Sequence, residues 1–115
     1  LCLIYSDEKL MQDMSDAERG AFTAEYGTFT REVRGSGHFV GGDALQPVAT
    51  ATTVRVRDGK VTTTDGPFAE TREQLGGYYL IEAEDLDEAL KIAARIPSAR
   101  IGSIEVRPIR VYTSM

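Results

Sequence analysis

Two short runs in this chain are apolar at every position, Leu1-Cys2-Leu3-Ile4-Tyr5 and Tyr78-Tyr79-Leu80-Ile81. Successive side chains of a strand point to opposite faces, so a strand apolar on both alternating sets is buried on both sides. Neither run is long enough to be a membrane span or a signal-peptide core. The pair therefore predicts central strands of a sheet with two faces to cover. How many helices the chain can supply then decides its architecture.

It supplies two. Ser15-Asp16-Ala17-Glu18 is a capping box, in which the serine and glutamate side chains reciprocally satisfy orphan amides at a helix start. Phe22, Tyr26, Phe29 and Val33 then recur at helical spacing, and Gly35 and Gly37 supply the stop. Asp85-Leu86-Asp87-Glu88 opens a second helix with the stripe Leu86, Ala89, Leu90, Ala93 and Ile96, terminated at Pro97. Residues 38–45, residues 78–84 and the stretch from Ile104 to Tyr112 read as strands, the last with Pro108 marking an edge or bulge. Ala51 to Arg57 and Lys60 to Thr64 flank Asp58-Gly59, a two-residue hairpin signal.

The order is β-α-β, an inserted hairpin, then β-α-β. This is a ferredoxin-like α+β arrangement, one domain over residues 1–115, and right-handed crossovers put both helices on one face. With no third helix in this reading, the simplest cover for the other face is a second copy, and a homodimer is expected.

Among 115 residues, 18 are acidic and 13 basic, a net charge of −5 with no basic stretch, which argues against nucleic acid as a partner. Cys2 is the only cysteine, so neither an intrachain disulfide nor a cysteine metal cluster can form, and a cytoplasmic setting is expected. Neither a Gly-rich phosphate loop nor a nucleophile elbow nor a paired-histidine metal motif is present. No cofactor and no metal are expected.

Several residues could carry chemistry. His38, the lone histidine, is the only side chain whose unperturbed pKa suits a proton shuttle near neutral pH. Asp65 ends the hairpin before Gly66-Pro67, where a turn could expose its carboxylate or fold it into an Asx-turn. Gly41-Gly42 implies a bulge or a close approach, and a bulge could bring Asp43 to the side of His38. Arg55 and Arg57 share a strand face that could bind an anion, while Phe68 is expected to pin its loop in an apolar pocket. Tyr78 joins Asp43, Arg55 and Phe68 as a candidate binding residue. Asp65, Glu70 and Glu73 could collect a cation only if they converge. Glu105 and Arg107 are expected to form a structural ion pair.

The long loop-to-strand run Asp65-Gly66-Pro67-Phe68-Ala69-Glu70-Thr71-Arg72-Glu73-Gln74-Leu75-Gly76-Gly77-Tyr78-Tyr79 resembles the signature of the DGPF branch of the YCII-related proteins. Ala89 through Pro97 and Ile104-Glu105-Val106-Arg107-Pro108-Ile109 extend the resemblance over nearly the whole chain. It implies a dimeric α+β barrel, paired sheet to sheet. It also implies a His–Asp acid–base pair, whose two positions fall on Tyr26 and His38 here, so the dyad as such is absent. Similar barrels support isomerase, lyase and dehydrochlorinase chemistry on small organic compounds. Two functions are therefore expected as alternatives. One is proton transfer by His38 with Asp65 or Tyr26 on a small molecule held between sheet and hairpin. The other is a non-catalytic ligand-sensing or regulatory module, linked in this branch to sigma factors of the extracytoplasmic-function type.

Overall fold

The computed structural model describes residues 1–112. Along the chain run β1 (Cys2–Ser6), α1 (Glu8–Gln12), α2 (Asp16–Gly35), β2 (Phe39–Ala44), β3 (Thr52–Arg57), β4 (Lys60–Asp65), β5 (Gln74–Ile81), α3 (Leu86–Ala93) and β6 (Ser103–Val106). Four strands form an antiparallel sheet in the order β2-β5-β1-β6. The two all-apolar runs occupy its two central strands. β3 and β4 pair only with each other, as a separate ribbon.

α2 starts where the capping box predicts: Ser15 Oγ accepts from Glu18 N and the Glu18 carboxylate from Ser15 N. Phe29 and Val33 turn inward against Cys2, Ile4 and Tyr79, and Ile92, Ala93 and Ile96 join them from the other crossover. Both long helices thus pack on one face of the sheet, as expected. The Tyr79 ring meets Phe29 edge to face at 5.1 Å between centroids. Its hydroxyl lies 2.7 Å from Thr30 Oγ1, whose own proton goes to the Tyr26 carbonyl, so the tyrosine is the donor. Burial of the Cys2 thiol pushes its pKa up, and this lone thiol acts as a small core residue.

Four expectations need correction. α1 is a helix the hydrophobic pattern did not announce, because it buries no residue; Asp7 caps it. β5 begins at Gln74 rather than Tyr78, since Gly76 and Gly77 continue the ladder that their composition disguised as loop. β6 stops at Val106, not Tyr112: Pro108 has no amide proton to donate and the ladder ends before it. Finally, Leu86 and Leu90 lie outside the core, which takes Ile92 instead.

The hairpin turn is as expected, with Asp58 and Gly59 both at positive φ (51° and 75°). Gly66 N closes the ribbon's base on the Ala51 carbonyl at 2.7 Å. Beyond that base the ribbon stands away from the sheet. The radius of gyration is 16.5 Å, against roughly 13 Å for a compact chain of this size.

Candidate functional site

A hollow of about 570 Å³ lies between α2 and the sheet. Its cause is local. Gly42 and Gly77 face the helices and carry no side chain, so the floor beneath the first half of α2 is bare. A Cβ at Gly42 would come within 2.8 Å of the Tyr78 carbonyl and 2.9 Å of the Tyr79 ring. The close approach that Gly41-Gly42 implied is therefore real, and so is the bulge, which falls between Phe39 and Gly41. Phe22, Tyr26 and Thr30 form the helical wall, and Met11, Leu45 and Pro47 border the hollow as well.

Tyr26 puts a part-buried phenol on this wall, which also carries Arg34, its guanidinium held 4.5 Å over the Phe39 ring. The Tyr26 ring packs edge to face with Phe22, and its hydroxyl lies 2.5 Å from Oγ of the buried Ser98. Burial raises the phenol pKa above its ordinary value, against the lowering effect of the Ser98 hydrogen bonds. At neutral pH Tyr26 is thus a proton donor, not a base. Ser98 sits in the short 3-10 turn Pro97–Arg100, and only the proline of that turn stood out in the sequence, as a helix stop. At the rim, Gln74 Oε1 accepts from Glu8 N, and the Glu8 carboxylate accepts from Val48 N, which ties α1 to the root of the ribbon.

His38 does not share this hollow. Its Nδ1 is 2.7 Å from Ser36 Oγ and its Nε2 is 3.0 Å from a Glu88 oxygen that also accepts from Glu84 N. The partners expected were Asp65, Asp43 and Tyr26; the partner found is Glu88, which the sequence offered only as a helix-capping residue. Serine, histidine and glutamate do form a chain in the order that activates a nucleophile. The setting defeats that chemistry. Ser36 caps the C-terminal, carbonyl end of α2, where negative charge is disfavoured. The neighbouring amides of Gly37 and His38 are committed to the Arg34 and Val33 carbonyls, which leaves neither to hold an oxyanion. The chain of bonds instead latches the start of β2 to α3.

The other candidates scatter. Asp65 is exposed at the end of β4. Arg55 lies on the ribbon and reaches the Phe68 carbonyl at 3.4 Å. Phe68 is 76% exposed, so the apolar pocket expected for it does not exist; its loop is shaped instead by the Thr71 hydroxyl, which donates to the Glu73 carbonyl, and the Gln74 side-chain amide, which donates to the Thr71 carbonyl. Asp43 and Tyr78, by contrast, meet: the Tyr78 hydroxyl donates to Asp43 Oδ2 at 2.6 Å. That hydrogen bond, with the charge of Asp43, raises the Tyr78 pKa. Both residues border the hollow, yet strand alternation turns their side chains to the face away from the helices. Glu73 turns to Ser103 Oγ at 2.8 Å, and among the described residues no cluster of three metal-ligating groups forms. Glu105 and Arg107 make the expected ion pair, at 2.5 Å. The cleft expected between sheet and hairpin is replaced by the one beneath α2, because the ribbon does not lie over the sheet.

Among the described residues, no helix is long and apolar enough to cross a membrane. The model of the YCII-related domain matches residues 1–113. An uncharacterised protein of Rhizobium meliloti (strain 1021) is 39% identical over 109 residues, which covers 92% of this chain and 77% of that protein. By fold, and by a match that runs almost from end to end, the chain belongs to the YCII-related family.

Proposed function

We propose that this chain binds a small, largely apolar organic molecule bearing one oxygen acceptor, in the hollow between α2 and the sheet. The observation that carries the reading is the Tyr26 hydroxyl, a phenol kept protonated by burial on the wall of a cavity of about 570 Å³. A hollow of that size whose exposed lining is mainly apolar suits a ligand held by apolar contact and oriented by a hydrogen bond. The lone histidine lies elsewhere, which favours binding or sensing over histidine acid–base chemistry.

The short Tyr26–Ser98 bond supports a second, catalytic reading. A phenol relayed through a buried hydroxyl can donate to a carbonyl as it becomes an enolate, which is the acid half of isomerase or lyase chemistry.

In both readings the chain works as a homodimer. Leu3, Tyr5, Tyr78 and Leu80 lie on the sheet face that carries no helix, and a second copy is the cover that fits them.

The test is titration of ¹⁵N-labelled protein with a panel of small aromatic ketones, lactones and phenols. Amide shifts should concentrate at Gly42, Gly77 and Thr30, and Tyr26→Phe should weaken binding by about ten-fold, the value of one buried hydrogen bond. Shifts scattered over the surface, or none across the panel, would refute the reading.

A further inference from the structure

An isolated two-stranded ribbon is marginally stable in water, yet β3 and β4 pair over six residues each with no other strand beside them. Their register sorts the side chains. Val54, Val56 and Val61 share one face, and all three are more than half exposed. Arg55, Arg57 and Lys60 share the other. In a chain of net charge −5, the tip of this arm carries three cations against the single Asp58. The arm is apolar on one side, cationic on the other, and occupied by neither the sheet nor the helices.

A surface of complementary charge lies at the far end of the four-stranded sheet. A groove of about 440 Å³ opens between the start of α3 and the end of the sheet. Val40, Leu86 and Ile109, each more than half exposed, stand along it. Glu82 and Asp85 line it, the exposed Glu84 lies between them in sequence, and the one side-chain cation of the lining, Arg107, is already paired with Glu105. With the valine face down on the apolar floor, the long Arg55, Arg57 and Lys60 side chains reach round the edges of the arm to the acidic rim.

We propose that the β3–β4 arm of one copy docks in the α3 groove of a second copy, and its arm in the groove of the first. The geometry requires two molecules. The arm springs from the Ala44 end of β2 and the groove lies at its Phe39 end, so a two-fold axis across the strands brings each arm to the other's groove. Such a contact is isologous and closes at two copies. The inference rests on the homodimer reading above and names the segments that lock it.

Analytical ultracentrifugation of the whole chain tests it by charge exchange. Arg55→Glu with Arg57→Glu, and separately Glu82→Lys with Glu84→Lys, should each raise the dimer dissociation constant by about ten-fold or more. All four positions are exposed, and none supplies a helix-capping side chain, so circular dichroism should be unchanged. Combining the two sets should restore the constant to within roughly three-fold of the parent, since the reversed charges again oppose one another. If either set alone moves the constant by less than about two-fold, or the combination is as weak as the two losses multiplied, arm-to-groove docking is overturned while pairing through the sheet stands. A parent chain that stays monomeric at all concentrations overturns both.

Discussion

Removing one oxygen from Tyr26 separates the roles assigned to it. Tyr26→Phe keeps the ring against Phe22 and loses the bond to Ser98, leaving a buried hydroxyl with one partner fewer. The cost should be about 0.5–1.5 kcal/mol in chemical denaturation at neutral pH. The pH dependence carries a sign. Burial raises this phenol above its ordinary value of about 10, so the folded chain holds the proton longer than the unfolded chain does. The stability linked to Tyr26 is therefore fully present below pH 10, about the unfolded value, and is lost as pH rises toward the folded one. In an alkaline titration followed at 295 nm, the variant should lose a step from the late end of tyrosinate formation. A lost step that falls at the ordinary tyrosine pKa would mean that the hydroxyl is open to water, and the cavity would lose its donor. Tyr26 could be picked out of the sequence as an aromatic on a helix stripe; its partner could not, because Ser98 is 72 residues away and reaches it only after the second crossover.

At the scale of elements, what the sequence disclosed was what short-range chemistry dictates. The α2 cap, its buried stripe and the Asp58-Gly59 turn depend on neighbours within a few residues, and all appear where the pattern put them. What it concealed depends on distant partners. Gly76 and Gly77 look like loop until Ile4 pairs with Gly77 and Leu45 donates to the Gly76 carbonyl, and His38 looks free until Glu88 arrives from α3. The hairpin shows both sides of this: its existence is local and legible, its detachment from the sheet is tertiary and was not. Phe68, just beyond it, makes the distinction measurable. A ring pinned in a pocket would cost roughly 2–4 kcal/mol on truncation. At 76% exposure it has little contact to lose, and Phe68→Ala should change stability by less than about half a kilocalorie per mole. A larger loss in urea denaturation would mean that the ring is covered in solution, by its own chain or by another.

The whole molecule is a sheet with helices on one side only, and that imbalance was already written in Leu1 to Tyr5 and Tyr78 to Ile81. Cys2, Ile4 and Tyr79 go to the helices. Leu3, Tyr5, Tyr78 and Leu80 go to the other face, where the Asp43–Tyr78 pair stands among them. Monomeric proteins seldom leave a contiguous apolar sheet face in water, and a second sheet packed on it would bury over about 1,200 Å², the size of a stable interface. Light scattering during size exclusion at micromolar concentration should therefore report about twice the 12.6 kDa of one chain. Leu80→Asp places a carboxylate on that face without touching the helix-side core, so it should yield a folded monomer of normal circular dichroism. The Tyr26 cavity opens on the opposite side of the sheet, so the monomer should still bind whatever the parent binds there. If Leu80→Asp unfolds the chain instead, the face is part of the protomer's own core; if it leaves the mass unchanged, the copies pair through another surface.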